Sequence, residues 1–206
     1  MSRFHDATIV KETCNGLQTL EVNAMHLSNG VIFVTGEITD EMVNDVISQI
    51  LYLERENIKI KLILNTCGGS ISAGLVLYDV IREYKSDITI FCMGLAASMG
   101  AVILAAGEKG NRFILPHSKV MIHEPLIQGG MSGSTTTIQR TAESLIETKK
   151  LVNGILAECT GKSVKQIDKA TSFDNFMTAQ EAIEFGLCDK MITTLQFNQL
   201  TAKHKI

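Results

Sequence analysis

Ile58, Ile60, Leu62 and Leu64 alternate with Lys59 and Lys61, the period-two pattern of a half-buried strand. The run turns at NTCGGS and continues as ISAGLVLYDVIREY, where Leu75, Tyr78 and Ile81 share one helical face. The same order occurs upstream. Residues 31–34 (VIFV) are β-rich, and after Gly36 the residues Val43, Val46, Ile47, Ile50, Leu51 and Leu53 recur at helical spacing behind an Asp40 cap. A third unit starts with residues 88–93, is expected to turn at Gly94, and continues as a helix to about Ala106. Two shorter β-like runs follow at 113–115 and 120–122. Repeated βα units of about 30 residues predict mainly parallel strands and an α/β fold.

Beyond Pro125 the pattern changes. IQGGMSGSTTT is rich in Gly, Ser and Thr; Ile138, Ala142, Leu145, Val152, Ile155, Leu156 and Cys159 then trace a long amphipathic helix that Gly161 closes. Lys149 interrupts its apolar stripe. This helix is expected to project from the βα body, and its stripe needs a second apolar surface, which predicts self-association. A final short helix is expected from Thr178, because Glu181 stands three residues after the cap and completes a reciprocal capping box. With no linker-like tract, residues 1–206 read as one domain: a head of about 20–125 and 162–195, a handle of about 126–161, and flexible tails.

The chain has 206 residues, 45% apolar and 20% charged, enough for a substantial core. A net charge of -3 supplies no basic field for a phosphate backbone, so no nucleic-acid partner is expected. Residues 88–107 carry no charge over a length that could span a bilayer. Their first third is β-branched and aromatic and the rest rich in Ala, Gly and Ser, which predicts a buried strand feeding a buried helix and no membrane partner. The amino terminus, MSRFHDATIVKETC, has no apolar stretch of signal-peptide length, and five cysteines without a CxxC pair suit a reducing compartment; a cytoplasmic location is expected. No HExxH or compact His/Cys set and neither GxGxxG nor GxxxxGK[ST] is present, so neither a metal nor another cofactor is expected.

The sharpest chemical feature is Ser98 in GLAASMG. A serine hydroxyl is a weak nucleophile and needs exposure on a tight turn, a neighbouring base, and amides aimed at the developing oxyanion. The segment approximates G-x-S-x-G with Ala96 in the first glycine's place; a serine here could equally serve only to let helix and strand pack closely. Gly68 and Gly69 form a second turn at the matching place of the preceding unit, suited to an oxyanion site or to an ordinary turn. Among the histidines, His123 stands out at the end of an apolar run, before Glu124 and Pro125. Asp174, between Phe173 and Phe176, would suit an imidazole orienter, but spacing does not select it over Asp168 or Asp189.

The stretch GLAASMGAVILAAGEKGNRFILPHSKVMIHEP resembles the core of the Clp protease proteolytic subunits, the ClpP family. NTCGGSISAGLVLYDVI, TGKSVKQIDKAT and DNFMTAQEAIEFGLCDKMI resemble further family segments in the same order, so the similarity runs from about Val31 to Ile192. The resemblance implies a ClpP/crotonase-like fold with a projecting handle helix. It further implies Ser98 as nucleophile, His123 as base and then acid, Asp174 as orienter, and the amides of Gly69 and Met99 as the oxyanion hole. An extended peptide would bind by strand addition near Gly68, Ile71 and Leu126. Two stacked seven-membered rings, of one chain or mixed, would enclose a chamber fed with unfolded protein by a hexameric Clp-class ATPase.

Several positions depart from the family pattern. Cys67 replaces a proline before the two glycines, which is expected to loosen that turn. Glu124 replaces a glutamine and adds a negative charge beside His123. Ser172 and Phe173 replace an acid and an arginine that link the rings, and Ser134 replaces a glutamine in a longer handle turn. Lys61 and Ile63 stand where tyrosines line the ATPase docking pocket. Two other readings therefore stay open: a weakly active or non-catalytic ring subunit that works with another ClpP, and a crotonase-like acyl-CoA enzyme.

Overall fold

The two periodicities fold as strands and helices, and the buried positions are those that alternate or recur. The computed structural model describes residues 7–13, 16–127, 129–130 and 132–201. Strand β3 (Val31–Ile38) leads into helix α2 (Asp40–Arg55), which buries Val43, Val46, Ile50 and Leu53. Its cap is Thr39, one residue before the expected Asp40: the Thr39 hydroxyl accepts the Met42 amide, and Asp40 instead places its charge in the first turn. Strand β4 (Ile60–Gly69) feeds α3 (Ile71–Glu83), and β5 (Ile88–Ala97) feeds α4 (Met99–Ala106).

Residues 88–107 thus divide into a strand and a short helix, with the turn at Ser98 and not at Gly94, which lies inside β5. Every residue of α4 is buried; a helix that is apolar on all sides belongs in a core. It packs against α3, β4 and β5. Among the described residues no helix is long and apolar enough to cross a membrane.

Strands β6 (Arg112–Ile114), β7 (Lys119–Ile122), β8 (Asn175–Thr178) and β9 (Lys190–Met191) complete a seven-stranded sheet. The order β3-β4-β5-β6-β9 is parallel throughout, as expected for βα repeats. One feature breaks the simple ladder. Residues Ile90–Cys92 of β5 pair with β6, whereas Leu95–Ala97 pair with β7, and β7 in turn pairs antiparallel with β8.

Helix α5 (Thr135–Thr160) is longer than its apolar stripe, capped by Ser134 and closed by Gly161 in the left-handed conformation. Its buried residues, Val152, Asn153, Leu156, Ala157 and Cys159, all lie in the carboxy-terminal half, while residues 135–140 are exposed. Helix α6 (Val164–Thr171) follows, and α7 (Ala179–Phe185) carries the expected capping box of Thr178 and Glu181. The short patterns did not announce the hairpin of β1 (Thr8–Thr13) and β2 (Gly16–Glu21), helix α1 (Val22–Ser28), or α8 (Thr194–Thr201). The tails expected to be flexible, before about residue 20 and beyond about 195, thus hold the β1–β2 hairpin and most of α8, while residues 1–6 and 202–206 lie outside the described residues.

A buried ion pair ties the far side of the sheet together. The Arg112 side chain is 2% exposed and meets Asp189 at 2.5 Å, and Asp189 also accepts the amides of Gly110 and Arg112. Burial pushes the Asp189 carboxyl up, but the Arg112 guanidinium and the two amides outweigh it and hold the group below the usual carboxylate range. A depressed folded-state value contributes stability above the unfolded-state value and loses it as pH falls. Thermal melts should therefore show destabilisation in acid below about pH 4. Asp189→Asn, which leaves the guanidinium buried without its counter-ion, should cost about 3–5 kcal/mol in denaturant unfolding at neutral pH.

Candidate active site

Three strand registers bring the site together. Ala97 of β5 pairs with Met121 of β7, and the Ser98 amide donates to the Met121 carbonyl at 2.8 Å. Ile122 pairs with Asn175 of β8, so one further step of the antiparallel register sets His123 opposite Asp174. The side chains complete the relay: Ser98 Oγ lies 2.9 Å from His123 Nε2, and His123 Nδ1 lies 3.2 Å from Asp174 Oδ1. Asp168 bonds instead to Asn153, and Asp189 to Arg112. Of the three acids that spacing left open, it is Asp174 that contacts His123.

Ser98 has φ 54° and ψ -121°, a backbone conformation that non-glycine residues rarely adopt. Hydrogen bonding to β7 on one side and the start of α4 on the other hold it there, with its hydroxyl aimed at the imidazole. Gly68 makes the space: a Cβ at that position would stand 2.6 Å from Ser98 Cβ and 2.8 Å from the Ala97 carbonyl oxygen. Gly69 is packed as tightly against Ile38, whose carbonyl oxygen would be 2.3 Å from an added Cβ. The loosening expected from Cys67 is opposed by Thr66, a buried residue with no local sequence signal to mark it. Its hydroxyl donates to the Gly36 carbonyl at 2.5 Å and accepts the Gly68 amide at 3.0 Å, bracing the turn across two strands.

The serine opens onto a cleft of about 730 Å³ lined by Gly69, Ile71, Ser98, His123 and Leu126 among others. Ile71 begins α3, and Leu126 is 54% exposed in the segment after β7. Cys67 lines the same cleft and is exposed. An apolar pit of about 20 Å³ beside Ser98 is walled by Met99, Val102, Ile122, Val152 and Leu156. Met99 is the first residue of α4, and the first amides of a helix have no intrahelical partner. Glu124, the charged departure beside His123, is not solitary, because Lys149 Nζ lies 2.5 Å from its Oε2. No group of metal-ligating side chains occurs among the described residues.

A strained serine bonded to an imidazole that is bonded in turn to a carboxylate is the constellation of a serine hydrolase, here on a mainly parallel α/β sheet. The Clp protease family model matches residues 15–195. The ATP-dependent Clp protease proteolytic subunit of Ligilactobacillus salivarius (strain UCC118) is 42% identical over 184 residues, covering 88% of this chain and 92% of that protein. The chain belongs to the Clp protease family and is a serine-type peptidase. The resemblance noted in the sequence is therefore correct at the level of family and fold.

Gly68→Ala should lower kcat/KM for a short fluorogenic peptide by about tenfold or more, since Ser98 must shift to admit the methyl group. Gly154→Ala, in α5 with nothing within 4 Å of the added carbon, serves as the control and should leave the rate unchanged.

Proposed function

We propose that this chain is the proteolytic subunit of an ATP-dependent Clp protease, with Ser98 as nucleophile, His123 as general base and acid, and Asp174 as the residue that orients the imidazole. The observation that carries this reading is the unbroken chain of contacts from Ser98 Oγ through both His123 nitrogens to Asp174. His123 Nε2 accepts the Ser98 proton as Oγ attacks the peptide carbonyl, and Asp174 stabilises the resulting imidazolium. The amides of Gly69 and Met99 receive the oxyanion. Collapse of the tetrahedral adduct breaks the C–N bond, the imidazolium protonates the leaving amine, and an acyl group remains on Ser98. Water, deprotonated by the same imidazole, then releases the carboxylic acid and restores the hydroxyl.

Substrate lies along the cleft as an added strand beside Gly68, Ile71 and Leu126, so main-chain pairing dominates and sequence tolerance is broad. Ile138, Ile146 and Leu151 of α5 and Phe173 and Phe176 are exposed, and on this reading a second copy covers them. On this reading the chain forms two stacked heptameric rings, alone or with another ClpP, and receives unfolded polypeptide from a hexameric Clp-class ATPase in the cytoplasm. Cys67, Cys92, Cys159 and Cys188 are free thiols, which suits a reducing compartment. The complete serine, histidine and aspartate set favours neither a non-catalytic ring subunit nor an acyl-CoA enzyme.

Ser98→Ala should abolish peptide hydrolysis, with a loss of about 10³-fold or more, while the assembly mass stays that of the wild type. Equal turnover by the variant would reject the assignment.

A further inference from the structure

Lys149 breaks the apolar stripe of α5, and a lone cation in such a stripe calls for a partner. The partner is Glu124, whose Oε2 lies 2.5 Å from Lys149 Nζ. Glu124 directly follows His123 and is fastened twice. Its side chain reaches α5, and its backbone amide donates to the Thr171 carbonyl at 2.7 Å, at the end of α6 and three residues before Asp174. One turn along α5 from Lys149, the buried Asn153 donates to Asp168 at 2.6 Å and to Thr171 at 3.3 Å. Residues four apart share one helix face. A single face of α5 therefore grips both the loop that carries His123 and the helix end that leads to Asp174, and through Val152 and Leu156 it also walls the pit beside Ser98.

We propose that Lys149 is a positioning residue: through Glu124 it fastens the His123 loop to α5, neutralises the carboxylate next to the imidazole, and so couples the handle helix to the His123–Asp174 pair. The inference rests on the assignment of Ser98 and His123 as nucleophile and base. Its electrostatic part follows from the groups around the imidazole. Asp174 faces it from the approach to β8, Glu124 follows it directly in the chain with its carboxylate on Lys149, Glu37 and Cys67 line the cleft from β3 and β4, and Asp168 stands behind Asn153 on α6. Lys149 is the cation supplied from α5. Without it the Glu124 carboxylate is left next to His123 with no counter-ion, a change of charge that the pH dependence of the reaction reads. The Lys149 and Glu124 side chains are 34% and 44% exposed, so salt should weaken the effect.

The test is the rate of Ser98 phosphonylation by a fluorophosphonate as a function of pH, for the assembled wild type, Lys149→Met, Lys149→Arg, Glu124→Gln and the Lys149→Met/Glu124→Gln double variant, with Ser98→Ala as the blank. For Lys149→Met the acid limb should move to higher pH by about half a unit or more, and further at low salt. Lys149→Arg should restore it. The double variant should regain the acid limb of Glu124→Gln while its plateau rate stays below that of the wild type, because the charge is gone but the fastening is not replaced. A Lys149→Met profile that superimposes on the wild type, or a double variant shifted as far as Lys149→Met, would overturn the inference while leaving the peptidase reading intact. Absence of Ser98-dependent labelling in the wild type would overturn both.

Discussion

Everything at the site depends on holding one serine in a backbone conformation it would not adopt alone. Ser98 sits at the end of β5 with a positive φ, and the energy of that conformation, about 1–3 kcal/mol for such residues, is supplied by its surroundings. The hydrogen bond from the Ser98 amide to Met121 fixes one side, α4 begins on the other, and the bare backbone of Gly68 leaves room that a side chain there would fill. With the main chain held in this way the hydroxyl already lies 2.9 Å from the imidazole before any substrate arrives. That is the condition under which proximity lowers a barrier.

The split pairing of β5 is the architectural device behind this. Had β5 continued to pair with β6, its end would lie beside a strand carrying neither histidine nor acid. By exchanging β6 for β7 at Leu95, the sheet brings His123 to the serine, and the antiparallel β8 brings Asp174 to the histidine. The departures at Cys67 and Glu124 are absorbed by local contacts: Thr66 braces the glycine turn, and Lys149 meets the added carboxylate. The departures at Ser172 and Phe173 are different. Among the described residues the Ser172 hydroxyl donates to the Lys169 carbonyl, and Phe173 is 66% exposed, so this surface carries an exposed aromatic ring.

The βα repeats were legible because period-two and period-3.6 burial are local properties of sequence, as in α2, α3 and β4. The cap of α2 lies one residue, and the end of β5 four residues, from where the pattern puts them, since capping and strand termination depend on which neighbour satisfies a given amide. Ser98, His123 and Asp174 were singled out from their local settings, but nothing local distinguishes Asp174 from Asp168 or Asp189. That choice is made by register between β7 and β8 and by Asn153 and Arg112, partners far away in sequence. Thr66 was invisible for the same reason. Its bond to the Gly36 carbonyl exists only once β3 and β4 lie side by side.

The central claim concerns which atom becomes acylated. Cys67 is an exposed thiol lining the same cleft and offers a chemically competent alternative to Ser98. Mixing the protein with a slowly hydrolysed ester, quenching in acid and measuring intact and peptide masses would identify the acyl carrier directly. The account predicts one acyl group per chain, on Ser98. An acyl group on Cys67, or a chain that turns over the ester without any adduct on Ser98, would contradict it.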